Sequence, residues 1–296
     1  MPLPPRHTRP LTVNPPAHPA GRRNALRLCA SAWALAGMAL GGASLLGDAA
    51  WANPRVAPRA DSPEVGVDPA LVASGLTARW GQAMRRDLGW AARWTPLPSG
   101  TLLRALGQGD IDMGIFLSHP QAERLSQEGL IHDRHALART DVLLLGPTQD
   151  DAGIRSETAP AGALRQVLAA HAAGAASWQA PAPDSALAAW LAGLGVQAPP
   201  PASGAKARPA GEVPYRLSTR AEWQAAQAQR GRQVANTRIW LQGGTAGATD
   251  MALACEVARP FRTRHPGARM LSQWLQGPLG QQAVRASAPA WQAPRG

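Results

Sequence analysis

The chain has 296 residues, with 30 Lys or Arg against 19 Asp or Glu and a formal charge of +11. That length allows one large or two modest domains and a sizeable core. The basic residues are mostly scattered arginines, without the clustered face of a nucleic-acid binder, so no nucleic-acid partner is expected.

The first 52 residues read as an export signal. Arg22 and Arg23 open the basic stretch GRRNALRL, residues 28–47 carry no charge, and DAAWA places small residues at Ala50 and Ala52. This pattern predicts a signal peptide over 1–52, cleaved after Ala52, with the paired arginines pointing to the twin-arginine route. The alternative, a retained membrane anchor, is opposed by the Gly, Ala and Ser content of the run. The segment holds five arginines and one acid, so the mature chain keeps +7. Cys29 leaves with the signal and Cys255 stays alone, which excludes an internal disulfide and a cysteine metal cluster. No later segment is long and apolar enough to cross a membrane. A periplasmic protein is expected.

Residues 53–63 are a polar, proline-containing lead-in. EVGV (64–67) is strand-like and ends before Pro69, and LTARWGQAMRRDLGW then sets Leu76, Trp80, Ala83, Met84 and Leu88 on one helical face. AARWTPL (91–97) is a second strand. SGTLLRALGQGD predicts a helix from Ser99 that stops at Gly107 and Gly109. Ile111, Met113, Ile115 and Leu117 alternate as in a strand with one buried face. Ser118, two residues before Pro120, is placed to cap a helix whose first turn holds Glu123. HDRH (132–135) reads as a surface turn, because its two histidines lack the further ligands of a metal site. RTDVLLLGP (139–147) contains an apolar run that fits a strand buried on both faces.

Residues 163–181 predict helix, turn and strand, and DSALAAWLAGLG (184–195) a helix capped by Asp184 and stopped at Gly193 or Gly195. The proline-rich stretch 196–214 is a loop with little to pack. YRLSTRAEWQAAQA (215–228), TRIWLQGG (237–244) and MALACEVA (251–258) continue the alternation, and 265–286 is helical with a break at Gly277-Pro278. GGTAGATD (243–250) lacks the lysine of a phosphate loop and reads as a turn. No nucleophile elbow or acid–base pair stands out, so no catalytic residue is named and no enzyme is expected. The nine tryptophans beyond residue 52 read as core.

What remains are hydroxyls and amides at helix starts. Ser99, Gly100 and Thr101 follow a strand and open a helix, where free amides and the positive dipole end favour an anion. Ser218, Thr219 and Arg220 stand at the same kind of junction. Ordinary N-capping is the alternative role of both.

The order of these motifs resembles that of periplasmic substrate-binding proteins of ABC importers, of the tungstate- and molybdate-binding type. The resemblance rests on residues 98–154, from PSGTLLRALGQGDIDMGIFLSHPQAERL to VLLLGPTQDDAGI, on YRLSTRAEW (215–223), and on HPGARMLSQWLQGPLGQQAV (265–284). It implies a two-lobed α/β periplasmic-binding-protein fold, type II-like. Lobe one would be 64–141 with 258–290, and lobe two 142–257 including the loop 196–214. Two crossing strands, near 141–147 and 251–258, would join them.

It further implies a monomer that captures a small oxyanion without cofactor or metal and delivers it to an ABC permease in the inner membrane. The ligand-binding residues it implies are Ser74, Ser99, Gly100, Thr101, Ser177, Ser218, Thr219 and Arg220. Two departures stand out. Where the family has a strand end rich in hydroxyls, this chain reads VDPALVA, and Asp68 there would repel an anion. The stretch SWQAPAPDSA (177–186) keeps Ser177, Asp184 and Ser185 but lacks the family's arginine. Two other readings therefore stay open: a binding-protein fold that senses or scaffolds without transport, and a periplasmic enzyme built around His132 or Asp184.

Overall fold

The computed structural model describes residues 62–196, 213–229, 234, 236–243, 251–262 and 265–294. The expected export signal, nearly all of the lead-in, most of the proline-rich loop and residues 244–250 of the glycine-rich turn lie outside the described residues.

Strand β1 (Glu64–Val67) lies between β2 (Arg93–Pro96) and β3 (Met113–Leu117) and runs parallel to both. Parallel neighbours need crossovers. Here they are the short α1 (Pro69–Ala73) with the amphipathic α2 (Leu76–Leu88), and then α3 (Ser99–Gln108). α4 (Pro120–Gln127) leads into β4 (Ile131–Pro147), whose 17 residues serve both halves of the molecule. Up to Asp141 its partner is the antiparallel β8 (Ala252–Pro260), which also pairs with β3. From Val142 onward its partners are β6 (Tyr215–Thr219) and β7 (Thr237–Gln242), and β6 carries the short β5 (Trp178–Gln179).

The strands thus run β2-β1-β3-β8-β4-β6-β5, with β7 also on β4. The exchange of partners between two consecutive residues of β4 divides the fold into two lobes. β8 begins opposite Asp141, and Val142 N–H donates to the Met251 carbonyl at 3.0 Å, so the second crossing falls at the start of β8. In the second lobe α5 (Pro160–Ala172), α6 (Ala186–Gly193) and α7 (Arg220–Ala228) accompany the strands.

The chain then returns to the first lobe as α8 (Pro266–Gln276) and α9 (Pro278–Arg285). α9 packs on α2, where the buried Trp80 indole donates to the Gly280 carbonyl at 3.1 Å. Gly280 has to be glycine: a Cβ there would lie 2.5 Å from the Trp274 carbonyl oxygen and 2.6 Å from Leu275 Cα. Trp291 is fully buried and donates to Ser74 Oγ at 2.9 Å, while Gln292 pairs with Arg139 through both backbone groups. The C-terminal segment is therefore strapped to β4 beside the crossing. Of the nine tryptophans beyond residue 52, Trp80, Trp223 and Trp291 are buried and the other six pack half-buried against the main core. Among the described residues no helix is long and apolar enough to cross a membrane.

Several local expectations are corrected. β3 is buried on both faces, because β1 and β8 flank it and α3 lies over it. His119, not Ser118, caps α4: Pro120 fixes the first helical position, so the preceding residue must cap, and His119 Nδ1 accepts from Gln121 N–H at 3.2 Å. Ser118 instead extends the ladder to Ala254. Ser185, not Asp184, caps α6, while Asp184 takes a left-handed φ of 62°. HDRH is not a surface turn but an irregular part of β4, in which Arg134 reaches Glu256 on β8 and Glu123 on α4. Leu88, expected on the packed face of α2, is 36% exposed at its last turn.

Candidate functional site

In sheets of this kind ligands bind beyond the carboxyl ends of the strands, where helix N-termini converge. Three strand-to-helix junctions meet there: β1 to α1 at Asp68, β2 to α3 at Ser99, and β6 to α7 at Ser218-Thr219-Arg220. The first two belong to one lobe and the third to the other, and α1 packs against α7 across the cleft.

Asp68 dominates the first lobe's side. Its backbone N–H continues the β1–β3 pairing to the Ile115 carbonyl, which fixes the residue at the strand end. Its carboxylate caps α1, accepting from Ala70 N–H at 3.0 Å, and accepts from Ser99 Oγ at 2.6 Å. The Ser99 hydroxyl, wholly buried, also accepts from Leu117 N–H at 3.0 Å. Burial pushes the Asp68 carboxyl up to about 6; the bonds from Ser99 and Ala70 oppose the shift, and the nearby Glu222 carboxylate reinforces it. The buried Cys255 thiol, pushed well up by burial, also feels Asp68.

The second lobe's junction is closed on itself. Thr219 caps α7 in a reciprocal capping box with Glu222, and Ser218 Oγ donates to the Thr219 carbonyl at 3.2 Å and faces Glu222 Oε2 at 3.4 Å. Arg220 turns toward the crossing, where Nε donates to Asp141 Oδ2 at 2.8 Å and Nη2 to Gln242 Oε1 at 3.0 Å.

Between the lobes, Gly100 N–H donates to the Asp184 carbonyl at 2.7 Å, and a Cβ at residue 100 would lie 2.9 Å from that oxygen. Arg104 grips the Asp184 carboxylate at 2.7 and 3.1 Å, and Thr101 lies between them, accepting from Arg104 at 3.1 Å. The Arg104 guanidinium holds the Asp184 carboxyl below the usual range. His119, at the same rim, has its pKa lowered by burial, with Arg104 adding to the shift and Asp184 opposing it.

Ser99, Gly100, Thr101, Ser218, Thr219 and Arg220 thus gather around the cleft, with their polar atoms already engaged by the protein. Ser74 lies at the end of α1, donating to the Leu71 carbonyl and accepting from Trp291. Ser177 precedes β5, and its carbonyl accepts from Tyr215 N–H at 2.7 Å. Sequence reasoning missed Asp141 and Arg216, and it read Asp184 as a cap. Arg216 was detectable, as a charged residue between the apolar Tyr215 and Leu217 of a strand.

The fold is that of the two-lobed periplasmic binding proteins. Three solved structures share it: one described as a candidate periplasmic metal-binding protein (TM-score 0.64, 18% identity, 79% of this chain and 97% of the other), the tungstate ABC transporter protein of Geobacter sulfurreducens (0.59, 17%, 76% and 98%), and the tungstate-binding protein of Desulfovibrio alaskensis G20 (0.55, 20%, 77% and 94%). No protein-family model and no curated protein matches the sequence.

Proposed function

We propose that the chain is an exported solute-binding protein that captures a small solute between its lobes and presents the closed form to the permease of an ABC importer. In this reading residues 1–52 are the removed signal, and the lobes divide at Asp141–Val142 and near Ala252, whereas the second limit expected from sequence is 257–258. The observation that carries it is the latch across the cleft. Arg104 and Asp184 are 47% and 46% exposed, and such a pair is worth ~0–1 kcal/mol. The ion pair adds little to the Gly100–Asp184 hydrogen bond and the α1–α7 packing that also join the lobes, so a ligand touching both lobes is expected to decide between open and closed.

For the ligand, the helix N-termini support a small oxyanion of the tungstate or molybdate kind. Asp68 and Glu222 set a condition on it: two carboxylates at one site repel a dianion, so oxyanion capture requires Asp68 to be protonated, at pH below about 6. A second reading, a binding-protein fold that senses or scaffolds without transport, is favoured by the same residue, because Asp68 already takes the donors that an oxyanion would use. Small-angle scattering and thermal shift with tungstate, molybdate, sulfate, phosphate and small organic solutes test the proposal. Capture predicts that a ligand which raises the melting temperature also compacts the protein. Stabilisation without compaction, or none by any solute, would leave the second reading.

A further inference from the structure

Beside the cleft, the second lobe holds a cavity of about 310 Å³ between the edge strand β5, its neighbour β6, the start of α6 and the flank of α7. Arg216 and Ser218 point to the same side of β6, since alternate residues of a strand share a face. That side packs under α7, where Trp223 meets Leu143 and Leu145, the register partners of Ser218 and Arg216. Gln179 is the neighbour of Arg216 across β5 and supplies an amide to the rim.

Two charges face this space without meeting. Arg216 is half-buried and, among the described residues, its side chain makes no hydrogen bond or ion pair. Glu222 spends Oε2 on Thr219 and Ser218, and among the described residues its Oε1 has no bond. A guanidinium in such a place favours a planar carboxylate, which it can hold through two parallel hydrogen bonds. The free carboxylate oxygen favours an ammonium. Trp223 and Leu187 supply apolar wall. The volume lies at the small end of small-molecule sites, ~300–1,000 Å³.

We infer that this cavity binds a small zwitterion of the amino-acid kind, its carboxylate on Arg216, its ammonium on Glu222 Oε1 and its side chain against Trp223. An inorganic dianion would satisfy Arg216 but meet Glu222, with Asp68 behind it; a plain amine would satisfy Glu222 and meet Arg216. The inference goes beyond the capture reading: the residues lining this cavity all belong to the second lobe, so its ligand is additional to the solute of the cleft.

Calorimetry and thermal shift at neutral pH on the exported chain test it, with glycine, alanine and leucine as zwitterions. 4-Methylpentanoate and 3-methylbutylamine stand for leucine without its amine and without its carboxylate, and tungstate is the inorganic control. Leucine or a smaller amino acid is expected to bind at least tenfold more tightly than either single-charge analogue, a difference of ~1.4 kcal/mol or more. Arg216→Gln is expected to lose at least tenfold, with Arg216→Lys between it and wild type. Glu222→Gln keeps a capping residue while removing the charge, and is also expected to weaken binding. Melting temperatures without ligand report whether each variant is folded. The inference is overturned if no amino acid stabilises the wild type, or if folded Arg216→Gln and Arg216→Lys both bind as the wild type does. Tungstate binding without amino-acid binding would sink this inference and leave solute capture standing. Arg216-dependent amino-acid binding, with or without compaction, would keep the cavity's ligand; the capture reading is decided by whether a solute of the cleft compacts the protein.

Discussion

Replacing Asp68 by asparagine isolates the charge at the centre of the cleft. The side chain is 6% exposed, and its carboxyl is shifted from 3.8 to about 6. Because the folded-state value lies above the unfolded one, ionisation is disfavoured by folding. The group contributes no penalty below about pH 4; the penalty builds as pH rises from about 4 to about 6 and is constant above that. Roughly two units at 1.36 kcal/mol each make it about 3 kcal/mol at neutral pH. Asparagine keeps an acceptor for the Ala70 N–H and is as good a cap as aspartate. The two proteins should therefore be similarly stable near pH 4, with the variant about 3 kcal/mol more stable by pH 7 to 8. Urea titrations of both across that range give the difference directly, and all other titrating groups cancel in it. Parallel stability curves would show that Asp68 is not held in the buried, desolvated position described. The same substitution should let tungstate stabilise the protein above pH 6, where the wild type excludes it.

Three further predictions follow from contacts. Arg104→Ala should change unfolding free energy by no more than ~1 kcal/mol, because the pair with Asp184 is exposed, yet scattering should show a more open average shape. Trp291→Ala should cost ~3–5 kcal/mol in urea unfolding, since it removes a wholly buried indole and the bond to Ser74 that ties the C-terminal segment down. Arg220→Lys should lower stability by ~1–3 kcal/mol by leaving the Gln242 and Asp141 acceptors incompletely satisfied, and should change ligand affinity less than Arg216→Gln does.

The order of elements was legible because punctuation and period agree along most of the chain. Gly109 takes the left-handed conformation expected of a residue ending α3, and Gly277-Pro278 divides α8 from α9. Caps were read less well where two polar residues compete for one position. In Ser118-His119-Pro120 and Asp184-Ser185-Ala186 the residue that caps is the one adjacent to the helix, a choice that local sequence leaves open and that tertiary contacts settle. Ser118 is drawn off by β8 and Asp184 by Arg104. The full length of β4 was hidden by its polar N-terminal half, whose charges are solved by partners on β8 and α4 rather than by solvent.

The site was legible as a set of junctions but not as a charge pattern. Asp68 and Ser99 are 31 residues apart and meet only because β2 and β3 flank β1, so no local spacing could announce a carboxylate seated on a hydroxyl. Arg220 stands where the resemblance implies a ligand-binding arginine, yet its guanidinium serves the crossing strand. Two residues earlier in the same alternation, Ser218 faces the α7 side, and the Arg216 side chain on that face has no partner among the described residues. Ser99 and the Ala70 amide donate to Asp68, while the Arg216 side chain, in the second lobe, has no partner among the described residues. A solute that carries both signs answers that arrangement; a bare oxyanion answers only half of it.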